Sequence, residues 1–202
     1  MVLLVNEASW WAWLALHGAW ALDYALPLQL CDVACLGAVA ALWTEHPLAI
    51  ALTWFWGLAG TANGLITPEV HAHFPDYIFI QYFVAHGGIV AAAFFLVVGL
   101  RHSPRRGDVL RAYGVTVGLL IFDAVVNLLT GGNYLYLRHT PSVHSLLDTF
   151  GPWPWYVLAS AVLALLLFFL LDLPFRRGRT AAAAYSTRSP SAGSTRTPLD
   201  SR

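Results

Sequence analysis

WPWYVLASAVLALLLFFLL fills residues 153–171 without one charged side chain. A helix rising 1.5 Å per residue needs about 20 apolar residues to cross a hydrocarbon core of roughly 30 Å. The stretch meets that requirement. GPWPW (151–155) at its head reads as an interfacial aromatic belt, with a proline in the first helical turn. Four further stretches repeat the pattern, at about 26–43, 47–66, 77–100 and 109–130. The segment 1–16 is apolar and aromatic but short, with Asn6 and Glu7 inside it. It reads as a truncated or interfacial helix, since it lacks the basic start and the small-residue cleavage site of a signal peptide. The fold expected is therefore all-α: a polytopic transmembrane helix bundle of five full spans plus a short N-terminal helix, over residues 1–175.

Bulk composition agrees. The 202 residues are 58% hydrophobic and only 11% charged, against about 25% charged in soluble domains. Net charge is zero, so nothing points to nucleic acid. The expected partners are membrane lipids, and nothing in the chain specifies a protein partner. All 11 basic residues are arginine. Four of them (Arg101, Arg105, Arg106, Arg111) cluster in RHSPRRGDVLR, and Arg176, Arg177 and Arg179 follow the last span. Basic loops stay cytoplasmic, so both segments are expected inside a bacterial inner membrane. The loops 67–76 and 131–152 are then expected outside. The Ala, Ser, Thr and Pro composition of 176–202 reads as a disordered cytoplasmic tail.

Polar residues collect in the outer halves of the spans. Taking 1.5 Å per residue, Cys31 lies about 6–8 Å below the outer end of its span, with Asp32 slightly deeper. Asn63, Gln81 and Asn127 lie about 5–6 Å from their outer ends, and His86 and Asp123 near 10–14 Å. The inner halves are almost wholly apolar, as in AAAFFLVVGL and GAVAAL. Ionisable groups inside a membrane are expensive and normally face protein or water, so the pattern describes a polar cavity open toward the outer face.

Several readings of these residues stand side by side. Cys31 with His86 is a nucleophile with a base. A buried cysteine is also a small hydrophobe, and membrane Asn and Gln often only join helices. Cys31 and Asp32 are about 100° apart around the helix, which leaves Asp32 to hold a neighbouring helix or orient a partner. Cys35 lies one turn from Cys31 on the same helix, where disulfide geometry is poor. His71 and His73, with Glu69 and Asp76 nearby, offer a weak metal pattern or an ordinary interfacial loop. We expect neither a metal nor a cofactor. Arg138 could meet a lipid phosphate or be an ordinary exposed arginine.

The stretches LPLQLCDVACLG, FWGLAGTANGLITPE, FPDYIFIQYFVAHGGIV, VNLLTGGNYLYLR and GPWPWYVL, in this order, resemble the bacterial YwaF-like integral membrane proteins. The eukaryotic transmembrane protein 164 is similar to that family. The resemblance covers residues 26–175. It implies a transmembrane helical fold and, through the eukaryotic relative, phospholipid acyl transfer through a helix cysteine with a histidine on another helix. By motif position these are Cys31 and His86. The family often has His where Gln29 stands, and it usually begins with more membrane sequence, so an earlier span is expected to be missing here.

The function expected is a membrane-embedded lipid acyltransferase or acyl-ester hydrolase. Cys31 is the catalytic nucleophile and His86 the base. Asp32, Asn63, Gln81, Asp123 and Asn127 form the supporting polar cavity, with Asn127 or Asn63 as oxyanion donor and Asp123 or Asp32 orienting the histidine. The alternatives are a non-catalytic protein that binds or transports a lipid or small polar solute, and a purely structural membrane subunit.

Overall fold

A computed structural model describes residues 1–188. Among them there is no strand. Four helices are long and apolar enough to cross a membrane: α3 (Pro47–Ile66), α4 (Tyr77–Gly99), α5 (Asp108–Thr130) and the Trp155–Arg176 part of α6, which continues to Arg188. Two shorter apolar helices precede them, α1 (Val2–Leu16) and α2 (Leu30–Thr44). The part of the expected tail at 189–202 lies outside the described residues.

The span expected over 26–43 is shorter than its hydropathy suggested. Residues 26–29 form a turn, and α2 starts at Leu30. Its 15 residues rise about 22 Å, well short of a roughly 30 Å core. The cause is local. Pro27 lacks an N–H to donate, and the backbone N–H of Gln29 donates to Asp32 Oδ2 at 3.2 Å. Asp32 thus serves as the acidic third residue of a capped helix start. This moves Cys31 from mid-helix to the first turn of α2.

The bundle is organised on α3, which packs against α2, α4, α5 and α6, while α1 lies on α2 and α4. Ala34, Ala38 and Ala41 share one face of α2 and are fully buried with Ile50, Ala51 and Phe55 of α3. Small side chains at that spacing let two membrane helices approach closely, so dispersion contacts accumulate where lipid offers no hydrophobic driving force. Two tryptophans join α3 to the outer helices: Trp54 Nε1 donates to Leu171 O at 3.3 Å and Trp56 Nε1 to Thr116 Oγ1 at 2.8 Å. On α5 and α6, by contrast, Leu128, Leu129, Leu158 and Leu166 are exposed. In a multi-pass membrane protein those faces meet lipid.

Because successive long helices alternate in direction, the end of α3, the start of α4, the end of α5 and the start of α6 share one end of the bundle. The arginine loop between α4 and α5 is at the other. Expected result: on a background without the native cysteines, Ser103→Cys is labelled by a membrane-impermeant maleimide only after the cells are opened. His73→Cys is labelled in intact cells. Labelling of residue 103 in intact cells would reverse the orientation.

Candidate functional site

A cavity of about 330 Å³ opens at the end of the bundle opposite the arginines. Its walls are the start of α2 (Gln29, Cys31), α3 (Thr61, Asn63, Gly64) and α4 (Tyr82, His86), and the loop between α5 and α6 covers it with Leu135, Tyr136 and Ser145. Cys31, His86 and Asn63, on three different helices, therefore line one space.

His86 is fixed by its own helix. Its Nδ1 lies 2.9 Å from the carbonyl of Tyr82, one turn back. A carbonyl only accepts, so Nδ1 carries the proton of the neutral ring and Nε2 is left with a bare lone pair. The ring stacks on Tyr82, with centroids 3.9 Å apart, and the Tyr82 hydroxyl donates to Gly64 O at 2.9 Å. Only glycine fits at residue 64. A Cβ there would lie 2.7 Å from His86 Cδ2 and 3.0 Å from Nε2.

The middle of α3 supplies a group that sequence reasoning missed. Gly57–Thr61 is a π-helical segment, a form that collects at functional sites. Thr44, Thr53, Thr116 and Thr130 each bond the carbonyl four residues back, at 2.7–2.9 Å. Thr61 does not. Its hydroxyl is buried with no hydrogen-bond partner, although the residue lines the cavity. A buried unpaired hydroxyl costs about 1–3 kcal/mol. Sequence alone offered little signal beyond Gly57 and Gly60 in FWGLAGTANG.

The remaining candidates fall elsewhere. Asp32 adjoins the cavity: its Oδ1 accepts the Cys31 thiol at 3.5 Å, and Oδ2 takes the Gln29 N–H. Neither oxygen bonds His86, so its expected histidine-orienting role passes to the Tyr82 carbonyl. Asn127 is not an oxyanion donor in this arrangement. Its Oδ1 accepts the N–H of Tyr134 at 2.8 Å and its Nδ2 donates to Tyr134 O at 3.0 Å, so the side chain builds the covering loop. Asp123, one turn away, is buried with neither oxygen hydrogen-bonded and is absent from the cavity lining. Gln81 lies outside the cavity and offers its backbone carbonyl to Asn6 at 3.1 Å. Among the described residues no hydrogen bond joins Cys31 to His86.

The loop is held from every side. Tyr134 is fully buried; its hydroxyl donates to Leu22 O at 2.9 Å and accepts the Leu26 N–H at 3.0 Å. Gln29 Oε1 takes the N–H of Leu135. Glu69, near the two loop histidines, takes the Tyr136 hydroxyl on one oxygen and the backbone and side chain of Ser142 on the other. Burial, then the Glu69 carboxylate, pushes the pKa of Tyr136 upward, so the phenol remains a donor. Arg138 donates to Gly131 O at 2.7 Å, just past the C-terminus of α5, where a cation suits the helix dipole. Among the described residues no group of three or more His, Cys, Asp or Glu is placed to hold a metal.

A second, apolar groove of about 290 Å³ continues from the cavity between α3 and α6. It shares Asn63 and Leu147 with the cavity and runs past Leu58 and Ala62 on one side and Leu163 and Leu167 on the other. Polar chemistry at one end and a hydrocarbon-lined channel at the other is the layout that suits an amphiphile.

No curated protein and no solved structure matches the chain. The TMEM164 family model matches residues 1–172, and so takes in α1 as well as the segments from residue 26 onward. With α1 to α5 and α6 as far as residue 172 inside that match, the chain belongs to the TMEM164 family.

Proposed function

We propose that this protein transfers acyl groups between lipids, or hydrolyses acyl esters, in a bacterial inner membrane, with Cys31 as nucleophile. The observation that carries the reading is that Cys31, His86 with its bare Nε2, and Asn63 line one cavity from three helices. The thiol sulfur attacks the acyl carbonyl. An S–C bond forms, the ester C–O bond breaks, and the first alcohol leaves. A second alcohol, or water, then takes the acyl group and releases the thiol. Asn63 is the amide in the lining available to donate to the oxyanion as charge develops on it. Cys31, in the first turn of α2, lies at the helix end that favours negative charge. The groove along α3 and α6 accommodates the acyl chain, so the substrate enters sideways from the bilayer.

The test is direct. Purified protein in phosphatidylcholine vesicles carrying a deuterated acyl chain is quenched in acid and mapped by mass spectrometry. The expected result is a hydroxylamine-sensitive deuterated acyl adduct on the peptide containing Cys31. Failure to trap any adduct, together with unchanged lipid composition, would sink the catalytic reading. The second reading, a lipid-binding protein without chemistry, is favoured by the absence of a Cys31–His86 hydrogen bond and would then lead.

A further inference from the structure

The thiol and the imidazole face the same space from different walls, and each already has a hydrogen-bond partner. The Cys31 sulfur is 3.5 Å from Asp32 Oδ1. The other Asp32 oxygen is anchored by the Gln29 N–H, so the carboxylate is held at the thiol by the start of its own helix. His86 is anchored on α4 by the Tyr82 carbonyl and ring, and its Nε2 lies against the Gly64 backbone of α3. No hydrogen bond spans the cavity between them. A general base must be within hydrogen-bond reach of the proton it removes. On that criterion Asp32 is the group in reach of the thiol proton. His86 is in reach of whatever enters the cavity.

We propose that the two proton transfers of acyl transfer are divided between two bases: Asp32 serves the Cys31 thiol and His86 serves the incoming alcohol. The proposal rests on the acyl-transfer reading above and assigns Asp32 as a catalytic residue of that site. In the first half-reaction the thiol proton passes to Asp32 Oδ1 as the S–C bond forms. The ester C–O bond breaks, and the departing alkoxide takes that proton from Asp32. The carboxylate is regenerated and the first alcohol leaves neutral. In the second half-reaction the hydroxyl proton of the acceptor passes to His86 Nε2 as its oxygen bonds the acyl carbon. The C–S bond breaks, His86 gives its proton to a water at the open cavity mouth, and the thiolate takes a proton back from that water. No oxidant, metal or further reactant is needed for either balance.

The arrangement also explains why the aspartate is next to the cysteine in an otherwise apolar segment. Side chains one residue apart point about 100° from each other in mid-helix. Here the pair occupies the first turn, where the capping contact to Gln29 keeps the carboxylate near the helix start and within reach of residue 31.

The experiment separates the half-reactions. Full-length protein is mixed with phosphatidylcholine vesicles carrying a deuterated acyl chain, and thioester formation on Cys31 is followed by rapid acid quench. A lysophospholipid acceptor is then added and loss of the thioester is followed. Asp32→Asn keeps an oxygen to accept the Gln29 N–H but removes the base. It is expected to slow thioester formation at least about tenfold, the low end of a general base's contribution, and to leave the acceptor step close to normal. His86→Gln is expected to do the reverse: thioester forms at the native rate and then persists. Thermal unfolding of each variant monitors folding, and the His86→Gln arm reads the proposal even where Asp32→Asn is unstable. Thioester formation lost in His86→Gln but native in Asp32→Asn would overturn the division while leaving acyl transfer intact. Absence of any thioester in the native protein would remove the acyl-transfer reading, and the division with it.

Discussion

Cys31→Ser is expected to abolish acyl redistribution among phospholipids, and Cys35→Ser to leave it within about twofold of the native rate. The two cysteines are one turn apart on the same helix, so composition and local helix propensity treat them alike. Their surroundings do not. Cys31 lines the cavity beside Asp32. Cys35 is buried among the α1–α2–α3 contacts, away from the cavity lining, where its thiol meets the backbone carbonyl of Leu3 at 3.8 Å and the Glu7 carboxyl. Serine nearly matches cysteine in volume, so a cysteine that only packs tolerates it at modest cost. A nucleophile does not, because a hydroxyl has a far higher pKa than a thiol and needs stronger activation. Removing a nucleophile from groups that act as a unit costs on the order of 10³-fold or more. The measurement is the acyl-chain distribution in vesicles containing each variant, with melting temperatures recorded alongside. Equal activity in both variants would end the cysteine mechanism. Equal loss in both, with equally lowered melting temperatures, would assign the pair to packing.

What could be read from the sequence follows from where the information is stored. Membrane class and the four long helices come from hydropathy and length, which are local properties, and their observed bounds differ from expectation by no more than two residues at the cavity end. That polar groups cluster near one end was also local, since depth is residue count multiplied by rise. What was not legible is which polar groups meet. Asn127 and Asn63 carry the same amide at similar depth. Asn63 lines the cavity, whereas Asn127 is turned into the covering loop, and the difference depends on a loop conformation that neither helix encodes. The length of α2 was misjudged because hydropathy averaging counts Leu26 and Leu28 as helical. Capping by Asp32 and the proline at residue 27 start the helix later. Thr61 escaped notice because its importance lies in a hydrogen bond it lacks, which only the π-helical segment reveals.

Asn127→Leu is expected to open the covering loop and to destabilise the protein by about 1–3 kcal/mol, the penalty for leaving a buried backbone N–H unpaired. That group is the N–H of Tyr134, which donates to Asn127 Oδ1 at 2.8 Å; the Tyr134 carbonyl also loses the Asn127 amide but keeps the Leu137 N–H at 3.4 Å. The loop has little intrinsic preference for its native path. Leu135 and Tyr136 hold φ of 55° and 53°, a left-handed conformation that costs roughly 1–2 kcal/mol per residue for side chains of this kind. Such strain persists only where the surroundings over-determine it. Here Gln29 holds the Leu135 N–H, Glu69 the Tyr136 hydroxyl, and Tyr156 the Tyr136 carbonyl at 2.7 Å. With Tyr134 released, the remaining contacts oppose a backbone that relaxes toward ordinary φ. The long helices do not depend on Asn127, so the effect should be local. Hydrogen exchange is expected to rise over 131–150 with α3 and α4 still protected, and a protease added from the cavity side should cut within that loop. Asn127→Asp keeps the acceptor for the Tyr134 N–H but sets an oxygen against its carbonyl, so its effect should fall between native and leucine. Unchanged exchange in the leucine variant would show that Tyr134 is held by its buried ring and hydroxyl alone. Asn127 would then contribute to neither the loop nor the cavity beneath it.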